Sequence, residues 1–360
     1  MGSQTATTWL DKLHEQLNVD IDCMDPAEAK KLPFVPMDQT SNQRLVYQQM
    51  VAPENRELFL AVAKELKEEG WKAIYFRMAA ELCALNIGNL RGRVLLQSSP
   101  FHAYDTEKVI DDARSYVKQL EKVGIMRDRV CIKIPCTGPA LNAGRILLKE
   151  GIRTLGTSLF GLPQAIAASQ AGCLSISPYF NLPWFHYDPT LWPDVEDPAL
   201  EHPMSPRMVQ IVETYRRLHK ETGQPQPLLK PASFRSAKET MAMAEFGCEH
   251  ATIPEDILSS LASLDLVANP PPGDYSTKHW GVPNSRLAHL INVDPLAGPD
   301  WDGKLASTDV DYLANNGAAL DKAIEDDDVT KRGLALALKE FQGNELQTKA
   351  AIEEVLKEIA

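Results

Sequence analysis

Cysteine is scarce in this sequence, and the six residues that it has form no CxxC pair. Because several of them lie in apolar, strand-like runs, we expect buried and reduced thiols in a cytoplasmic protein rather than disulfides. The eight histidines also lack HxH and HxxxH spacing. Their spacing disfavours a zinc-type active site, and we expect no metal ligands among them.

Positive charge and long apolar runs are scarce as well. The 37 basic residues are outnumbered by 49 acidic ones, and the net charge of -12 argues against a nucleic acid or an anionic membrane as partner. A small phosphorylated substrate is not excluded, because its binding depends on local charge. No apolar run approaches the length of a membrane span, and residues 1–16 lack the basic-then-apolar pattern of a secretory signal. We therefore expect a cytoplasmic chain.

Strand-like and helical segments alternate along most of the chain. Short apolar or β-branched runs predict strands at Val19–Met24, Phe34–Asp38, Arg93–Ser98, Arg129–Pro135, Arg153–Leu159, Cys173–Tyr179, Pro227–Ser233 and His250–Pro254. Apolar residues at helical spacing predict helices at Glu54–Gly70, Thr106–Val123, Gly138–Gly151, Pro163–Gly172, Met208–Glu221 and Ser236–Phe246. The repeated strand–helix unit predicts a closed (β/α)8 TIM barrel of the α/β class. An open doubly wound sheet is the alternative, but it usually carries a glycine-rich phosphate loop that is absent here.

Two regions depart from this repeat, yet neither has the pattern of a separate domain. Asn181–His202 is rich in proline, tryptophan and acidic residues, and it predicts a long loop that is either a surface excursion or part of an active-site rim. Residues 296–360 predict helices that pack across the barrel. These helices are predicted at Asn316–Ala323, Thr330–Phe341 and Asn344–Ala360. We therefore expect one domain over residues 1–360, with the barrel at about 17–265 and a helical extension at about 296–360.

Lys133 stands out because it lies in the middle of the apolar fourth strand, between Ile132 and Ile134. A lysine rarely stays buried in such a strand unless it is paired or used in chemistry. Burial lowers the pKa of a lysine, and the neutral amine is the form that attacks a carbonyl group. A structural ion pair and an exposed strand end are the alternatives that the spacing leaves open.

Other polar residues cluster near the ends of the predicted strands, where the active sites of barrels form. Alternate residues of a strand share a face. The polar residues on such faces are Asp20 and Asp22, Gln97 and Ser99, and Ser175, Ser177 and Tyr179, and the second strand ends in the polar run Asp38 to Asn42. After the seventh strand, Ser233 and Arg235 precede a helix whose N-terminus could seat a phosphate. A helix cap with a surface arginine is the alternative there.

Together these segments resemble the transaldolase family, from about residue 10 to about residue 350 and in the family's order and spacing. The matching segments are Asp22–Asp25, Asp38–Asn42, Cys131–Thr137, Thr157–Phe160, Ile176–Pro178 and Ala232–Arg235. The resemblance implies a barrel with neither metal nor organic cofactor. It also implies a ketose donor that is cleaved through a lysine-bound dihydroxyacetone unit.

The resemblance implies a role for several positions of this chain. Lys133 would be the Schiff-base nucleophile, and Asp22 would move the proton of the cleaved hydroxyl. Thr157 would help to place the catalytic water. Asn42 and Ser177 would hold the bound dihydroxyacetone.

The region that would bind phosphate departs from the family pattern. Ser233 and Arg235 match residues that would seat a phosphate, but Leu182 replaces a second phosphate-binding arginine. Leu155 replaces an asparagine near the lysine. Lys230 is a candidate for restoring positive charge or for binding another anion such as a carboxylate. The residues that would contact the reacting end of the substrate thus resemble those of the family, whereas the residues that would contact its far end differ.

Gln97 and Tyr179 stand where transaldolases have a glutamate and a phenylalanine, and both resemble the fructose-6-phosphate aldolase branch instead. An amide orients a water but does not relay a proton, whereas a phenol can hold the water and protonate an enamine. We therefore expect a class I aldolase that releases a free ketone.

Two alternatives remain open. One is a true transaldolase of the pentose phosphate pathway, and the other is a retired enzyme that serves as a binding protein. The expected partners are a small ketose or ketone donor and an aldehyde acceptor, phosphorylated or not, without nucleic acid or membrane. A homodimer is the assembly that we consider.

Overall fold

The computed structural model describes residues 7–299 and 301–360, so the start of the stretch 1–16 lies outside the described residues. Parallel strands occur in chain order at β1 Asn18–Ile21, β2 Val94–Gln97, β3 Val130–Pro135, β4 Thr154–Leu159, β5 Ser175–Pro178, β6 Leu228–Leu229 and β7 His250–Ile253. Strands β2 to β6 pair in sequence, and β1 pairs with β7.

Two links close these strands into a ring. The extended segment around Gln39 bridges Ile21 on one side and Val94 on the other, so it takes the second position of the barrel. On the opposite side, the backbone amide of Thr252 donates to the carbonyl of Pro231 at 2.9 Å, which joins β7 to the segment after β6. The predicted (β/α)8 barrel is therefore confirmed, and the open-sheet alternative is wrong.

Helices surround the barrel and extend beyond it. Their bounds are α1 Trp9–Gln16, α2 Pro26–Lys31, α3 Gln43–Val51, α4 Arg56–Leu66, α5 Trp71–Asn86, α6 Thr106–Lys122, α7 Gly138–Lys149, α8 Leu162–Ala171, α9 Pro183–Tyr187, α10 Pro198–Glu201, α11 Ser205–Thr222, α12 Ala237–Glu245, α13 Glu255–Ser263, α14 Ala314–Glu325 and α15 Asp328–Glu358. Single turns of 3₁₀-helix connect several of them. None of the helices in this described part of the chain has the length and apolarity that crossing a membrane requires.

Local sequence explains where the outer helices begin and which face they bury. In α6, the Asp105 side chain accepts a hydrogen bond from the backbone of Lys108 and so satisfies a free amide of the first turn. Val109, Ala113 and Tyr116 recur at helical spacing and are buried against the barrel. The opposite face of the helix is polar, which fixes its orientation on the sheet.

The second strand differs most from its prediction. Phe34–Asp38 was expected to be extended, but the pairing falls on residues 37–40 and amounts to bridges rather than a full strand. Pro36 has no backbone amide to donate, so Met37 is the residue at which this segment begins to donate hydrogen bonds to β1, at 2.8 Å to the carbonyl of Val19. The shift matters because it carries Thr40 and Asn42 to the mouth of the barrel.

The region Asn181–His202 is more ordered than a plain loop. It contains α9, a 3₁₀ turn at Pro189–Leu191 and α10. Each of these elements has proline in its first turn, where the missing amide proton costs no helical hydrogen bond.

The C-terminal extension also differs in detail from its prediction. The two helices expected at Thr330–Phe341 and Asn344–Ala360 form the single helix α15, because Gly343 is tolerated within it. In α14, Asn315, Asn316 and Gly317 have left-handed backbone angles, so the regular helix begins only after them. A Cβ atom on Gly317 would lie 2.2 Å from the Cα of Gly138, which explains glycine at this contact.

Arg207 ties the extension to the barrel. Its buried guanidinium pairs with Asp294 at 3.0 Å and with Asp327 at 2.7 Å, and it donates to the carbonyl of Phe160 at 2.9 Å. Asp327 in turn caps the first turn of α15. Because α15 then crosses the barrel mouth, this network fixes one wall of the cavity described below.

Candidate active site

A cleft of about 480 Å³ opens at the carboxyl ends of the strands. It is lined by residues from the strand ends, from α9 and from α15: Asp22, Thr40, Asn42, Arg44, Lys133, Ser177, Tyr179, Pro183, His186, Tyr187, Ala232, Ser233, Phe234, Thr252, Pro254, Asp256, Ala337, Glu340 and Phe341. This is the end of a parallel barrel at which loops and strand termini can place functional groups together. Most of the predicted site residues meet here, although they are far apart in the sequence.

Lys133 lies at the inner end of the cleft with only 6% of its surface exposed. Its neighbours Ile132 and Ile134 point outward into the helix-facing core, which turns the amine inward. The Nζ atom donates to Thr40 Oγ1 at 2.9 Å, and among the described residues no carboxylate lies within ion-pair distance of it. Burial lowers its pKa to about 8, although Asp22 acts in the opposite direction. The neutral amine, which can attack a carbonyl carbon, is therefore far more abundant near physiological pH than it is for an ordinary lysine.

Asp22 follows β1 and lies in the cleft with Lys133. Burial raises the pKa of its carboxyl group, while Lys133 and Arg44 pull that pKa down. A carboxylate in this environment is a stronger base than one in water. The group can therefore take a hydroxyl proton and return it.

Tyr179 follows β5, and its phenol lines the same cleft as Lys133 and Asp22. Thr157 Oγ1 donates to Tyr179 Oη at 3.5 Å, and the Phe160 ring packs edge-on at 5.3 Å between centroids. Burial raises the pKa of Tyr179 to about 12, so the phenol keeps its proton across the physiological range. Tyr179 lines the cleft, whereas Thr157 lies behind it and positions its hydroxyl.

Gln97 is the direct neighbour of Lys133 in the adjacent strand. Its Nε2 donates to Gln43 Oε1 at 3.0 Å, and its own Oε1 is buried with no partner in the part of the chain that the structure describes. A buried amide oxygen of this kind needs a donor such as a water or a ligand hydroxyl. Gln97 is not part of the cleft wall, but its free oxygen is suited to hold a water close to Lys133.

Asn42 and Ser177 line the cleft from two strand positions that are not neighbours in the barrel. Asn42 Oδ1 accepts from the backbone of Leu45 at 3.0 Å and so caps α3, which leaves its amide nitrogen as the end able to donate to a ligand. Ser177 lies within β5 and is buried. Both side chains offer neutral donors of the type that binds sugar hydroxyl groups.

The predicted phosphate seat is only partly present. Ser233 has a left-handed backbone (φ 68°), its Oγ donates to the carbonyl of Asn181 at 2.8 Å, and His186 Nε2 lies 2.8 Å from the same oxygen. Because the serine proton is used, the imidazole donates to Ser233. Arg235 instead stacks on the Trp192 ring at 4.7 Å and does not line the cleft.

Lys230 does not face the substrate cleft. Its Nζ pairs with Asp20 at 2.8 Å and with Asp38, and it lies 3.2 Å from His250 Nδ1. All four residues are buried inside the barrel. Lys230 was expected to restore positive charge or to bind an anion, but it lies outside the cleft wall and two carboxylates already match its charge.

Sequence patterns missed several residues of the cleft. Thr40, which holds Lys133, lies inside the Asp38–Asn42 motif, and Arg44 follows that motif in the first turn of α3, so both could have been found from it. Glu340 could not, because α15 follows the last strand by more than 70 residues. Glu340 accepts a 2.7 Å hydrogen bond from Tyr187, which joins α15 to α9 across the mouth.

Comparison with known proteins identifies one family. A family model described as Transaldolase/Fructose-6-phosphate aldolase matches residues 19–297. A transaldolase of Gloeobacter violaceus is 32% identical over 273 residues, which cover 71% of this chain and 65% of that protein. A transaldolase of Methylococcus capsulatus is 30% identical over 269 residues, covering 71% of this chain and 78% of that protein. One of Nostoc punctiforme is 32% identical over 267 residues, covering 71% and 76%.

Proposed function

Because the chain belongs to the transaldolase and fructose-6-phosphate aldolase family of Schiff-base enzymes, we propose that it makes or breaks a ketose carbon–carbon bond through an imine on Lys133. The observation that carries this proposal is the buried amine of Lys133, which has a hydroxyl partner rather than a carboxylate partner at the inner end of a cleft. Burial without a counter-ion favours the neutral, nucleophilic form.

The proposed reaction begins when the Lys133 nitrogen adds to the ketone carbon of the donor. Loss of water from this adduct gives a protonated imine. Asp22 then removes the proton of the hydroxyl two carbons away, the carbon–carbon bond breaks, and an aldehyde leaves. The electron pair of that bond remains as an enamine on Lys133, stabilised by the imine nitrogen.

The fate of the enamine decides between the two activities of the family. If its carbon is protonated, water hydrolyses the imine and a free ketone is released. If it adds to a second aldehyde, the three-carbon unit is transferred. We propose the aldolase outcome, because Tyr179 brings a protonated phenol next to Thr157 and the unpaired oxygen of Gln97 can hold the water. The second candidate is transfer, which the names of the relatives favour.

The cleft also suggests how a substrate is oriented. Asn42 and Ser177 would hold the hydroxyl groups of a dihydroxyacetone-type end at Lys133. Arg44, His186 and Ser233 would face the far end of a sugar or sugar phosphate. Burial lowers the pKa of His186, with Arg235 acting in the same direction, so this wall offers one arginine and neutral donors. The arrangement supports binding of a hydroxyl or a single negative charge better than of a phosphate dianion.

The first experiment traps the imine. The protein is reduced with borohydride in the presence of dihydroxyacetone or fructose 6-phosphate, and the adduct is located by mass spectrometry. We expect a stoichiometric adduct on Lys133 that is lost in Lys133→Met and kept in Lys149→Met, an exposed lysine on α7. An adduct spread over surface lysines, or none at all, would falsify the proposal.

A second experiment separates release from transfer. We expect free dihydroxyacetone to accumulate from a donor ketose without any acceptor aldehyde. Turnover that starts only when an acceptor is added would identify the transferase. In Gln97→Glu, whose carboxylate can relay protons, we expect the ratio of transfer to release to rise.

A further inference from the structure

The charged residues of the cleft fall into two sets by their burial. Lys133 is buried and Asp22 is partly buried, and both lie at the inner end. Arg44, Asp256 and Glu340 line the same cleft but are exposed, so they lie towards its opening. We call these three residues the outer charges. A substrate whose ketone or aldehyde carbon reaches Lys133 extends its far end towards them.

Arg44 is an outer charge that the protein leaves without a partner. Its guanidinium forms neither an ion pair nor a hydrogen bond within residues 7–299 and 301–360. The two carboxylates of the set do not neutralise it, because Glu340 accepts a 2.7 Å hydrogen bond from Tyr187 and Asp256 forms no ion pair within the same residues. The five N–H donors of the guanidinium therefore remain available to a ligand.

The position of Arg44 in its helix does not explain a positive charge. Arg44 is the second residue of α3, whose first turn contains no acidic residue. The N-terminus of a helix favours negative side chains, because its free amides and its dipole are positive there. An unpaired cation at this point slightly destabilises the helix, so helix stability does not account for the arginine. A ligand carrying negative charge would be attracted by both.

The rest of the outer wall limits how much negative charge a ligand can carry. Burial lowers the pKa of His186 and keeps its imidazole neutral, although Glu340 acts in the opposite direction. The Nε2 atom of this imidazole is already engaged with Ser233 at 2.8 Å. One fixed positive charge thus faces two carboxylates at the opening. This balance suits one negative charge placed at Arg44 and opposes a second.

We infer that Arg44 is a substrate-binding residue that selects an aldehyde carrying a carboxylate group, and that Glu340 and Asp256 disfavour a phosphorylated one. A carboxylate spreads one charge over two oxygens in a plane, and a guanidinium donates to both through parallel hydrogen bonds. A phosphate dianion would bring a second charge close to the two outer carboxylates. The inference rests on the proposed Schiff-base function and names the class of its acceptor.

The reaction with such an acceptor follows the bond-forming direction. The imine of dihydroxyacetone on Lys133 loses a carbon proton to water and becomes an enamine. The enamine carbon then adds to the aldehyde carbon, and the aldehyde oxygen takes a proton from Asp22, which regains one from water. A further water hydrolyses the imine and releases the product, while Arg44 holds the carboxylate away from the reacting atoms.

The test compares acceptors with dihydroxyacetone as donor. Succinate semialdehyde carries the carboxylate, and butanal has the same chain length without it. We expect kcat/KM for succinate semialdehyde to be higher by about 10- to 100-fold, as one charge-assisted pair of hydrogen bonds provides. Arg44→Met should remove this advantage through KM and leave kcat within about twofold. Arg332→Met is the control, because that exposed arginine stacks on Trp184 at 4.2 Å and does not line the cleft.

The outer carboxylates are tested with glyceraldehyde 3-phosphate as acceptor. Glu340→Gln removes the charge and keeps an oxygen for the hydrogen bond from Tyr187, and Asp256→Asn removes the second charge. We expect each variant to lower KM for the phosphorylated aldehyde by about three- to tenfold, with butanal unaffected. An unchanged KM in both variants would contradict the role given to these carboxylates.

A binding measurement completes the test without turnover. Butyrate, which lacks the aldehyde, is titrated into the protein in a calorimeter, and we expect binding that Arg44→Met abolishes. Equal kcat/KM for succinate semialdehyde and butanal, or a preference that persists in Arg44→Met, would overturn the inference. Failure of the proposed function gives a different result, in which dihydroxyacetone and borohydride leave no adduct on Lys133 although butyrate still binds through Arg44.

Discussion

At the scale of single residues, burial of Lys133 destabilises the fold and makes its amine reactive. Its amine is buried beside the Thr40 hydroxyl, and among the described residues no carboxylate forms a direct ion pair with it, although Asp22 acts on its charge from within the same cleft. The same desolvation that destabilises its charged form makes the neutral form available to a carbonyl group. The stability of the fold and the reactivity of Lys133 therefore depend on the same burial, so a substitution that removes the amine should raise the first and abolish the second.

Replacing Lys133 with methionine should stabilise the fold while removing imine formation. A fall of the pKa from 10.5 to about 8 corresponds to roughly 3 kcal/mol of unfolding free energy at pH 7. Between pH 8 and 10.5 the unfolded chain binds this proton and the folded chain does not, so wild-type stability rises with pH there. Urea unfolding should thus show a gain for Lys133→Met that is largest below pH 8 and gone by about pH 10.5. A loss of stability at pH 7 would contradict the account.

Tyr179→Phe should slow release of the free ketone by about 10- to 100-fold, because the enamine loses its proton donor. Borohydride trapping on Lys133 should remain near the wild-type level, since the phenol acts after the imine has formed. Tyr187→Phe is the matched control, because Tyr187 lies at the mouth of the same cleft and bonds Glu340 instead. Equal losses in both variants would mean that the hydroxyl at position 179 has no special part in protonation.

At the scale of elements, the strand ends show how far sequence patterns reach. Alternation of apolar residues located most of the strands. Several strand ends were set too late, as at β1, where Asp22 follows Ile21, leaves the sheet and lines the cleft. The segment around Lys133, which we propose as the Schiff-base nucleophile, was predictable from motif spacing. The wall formed by Glu340 and Phe341 was not, because packing of α15 across the mouth depends on tertiary contacts rather than on any local pattern.

The buried group of Asp20, Asp38, Lys230 and His250 marks a second limit of prediction from sequence. Spacing placed Asp20 and Lys230 on inward faces, yet it could not tell which inward residues would meet one another across the barrel. For that reason, the sequence alone suggested that Lys230 binds an anion of the substrate. Pairing with Asp20 and Asp38 becomes evident only once β1, β6 and the segment before Thr40 are brought into one ring.

Arg207 is the residue through which α11 holds the start of α15. Arg207→Met should lower the free energy of unfolding by about 3–5 kcal/mol, because Asp294 and Asp327 would lose the buried cation that they share. Arg217→Met on the same helix is the control. That arginine is exposed and its pair with Glu221 spans 3.4 Å, so the change should stay within about 0.5 kcal/mol. Similar losses in urea titrations of the two variants would show that the network adds nothing beyond surface pairing.

At the scale of the whole molecule, the extension and the barrel share one buried core. Helix α15 packs on α3, α5 and β4, and Leu334, Phe341 and Ile352 are buried with the barrel residues. We expect one domain, so unfolding followed by far-ultraviolet circular dichroism and by tryptophan fluorescence should give coincident transitions. An early transition confined to helical signal would show that the extension unfolds by itself. Formation of a homodimer remains a prediction, which sedimentation measurements of the molecular mass in solution can test.

The distribution of thiols offers a further use of this molecule. All six cysteines are free and buried, in layers that range from Cys131 inside the barrel to Cys248 behind β7. A reagent in solution can modify each one only when the chain opens locally around it. Labelling rates read cysteine by cysteine would therefore report how often each layer opens, giving six native probes of local stability without any engineered substitution.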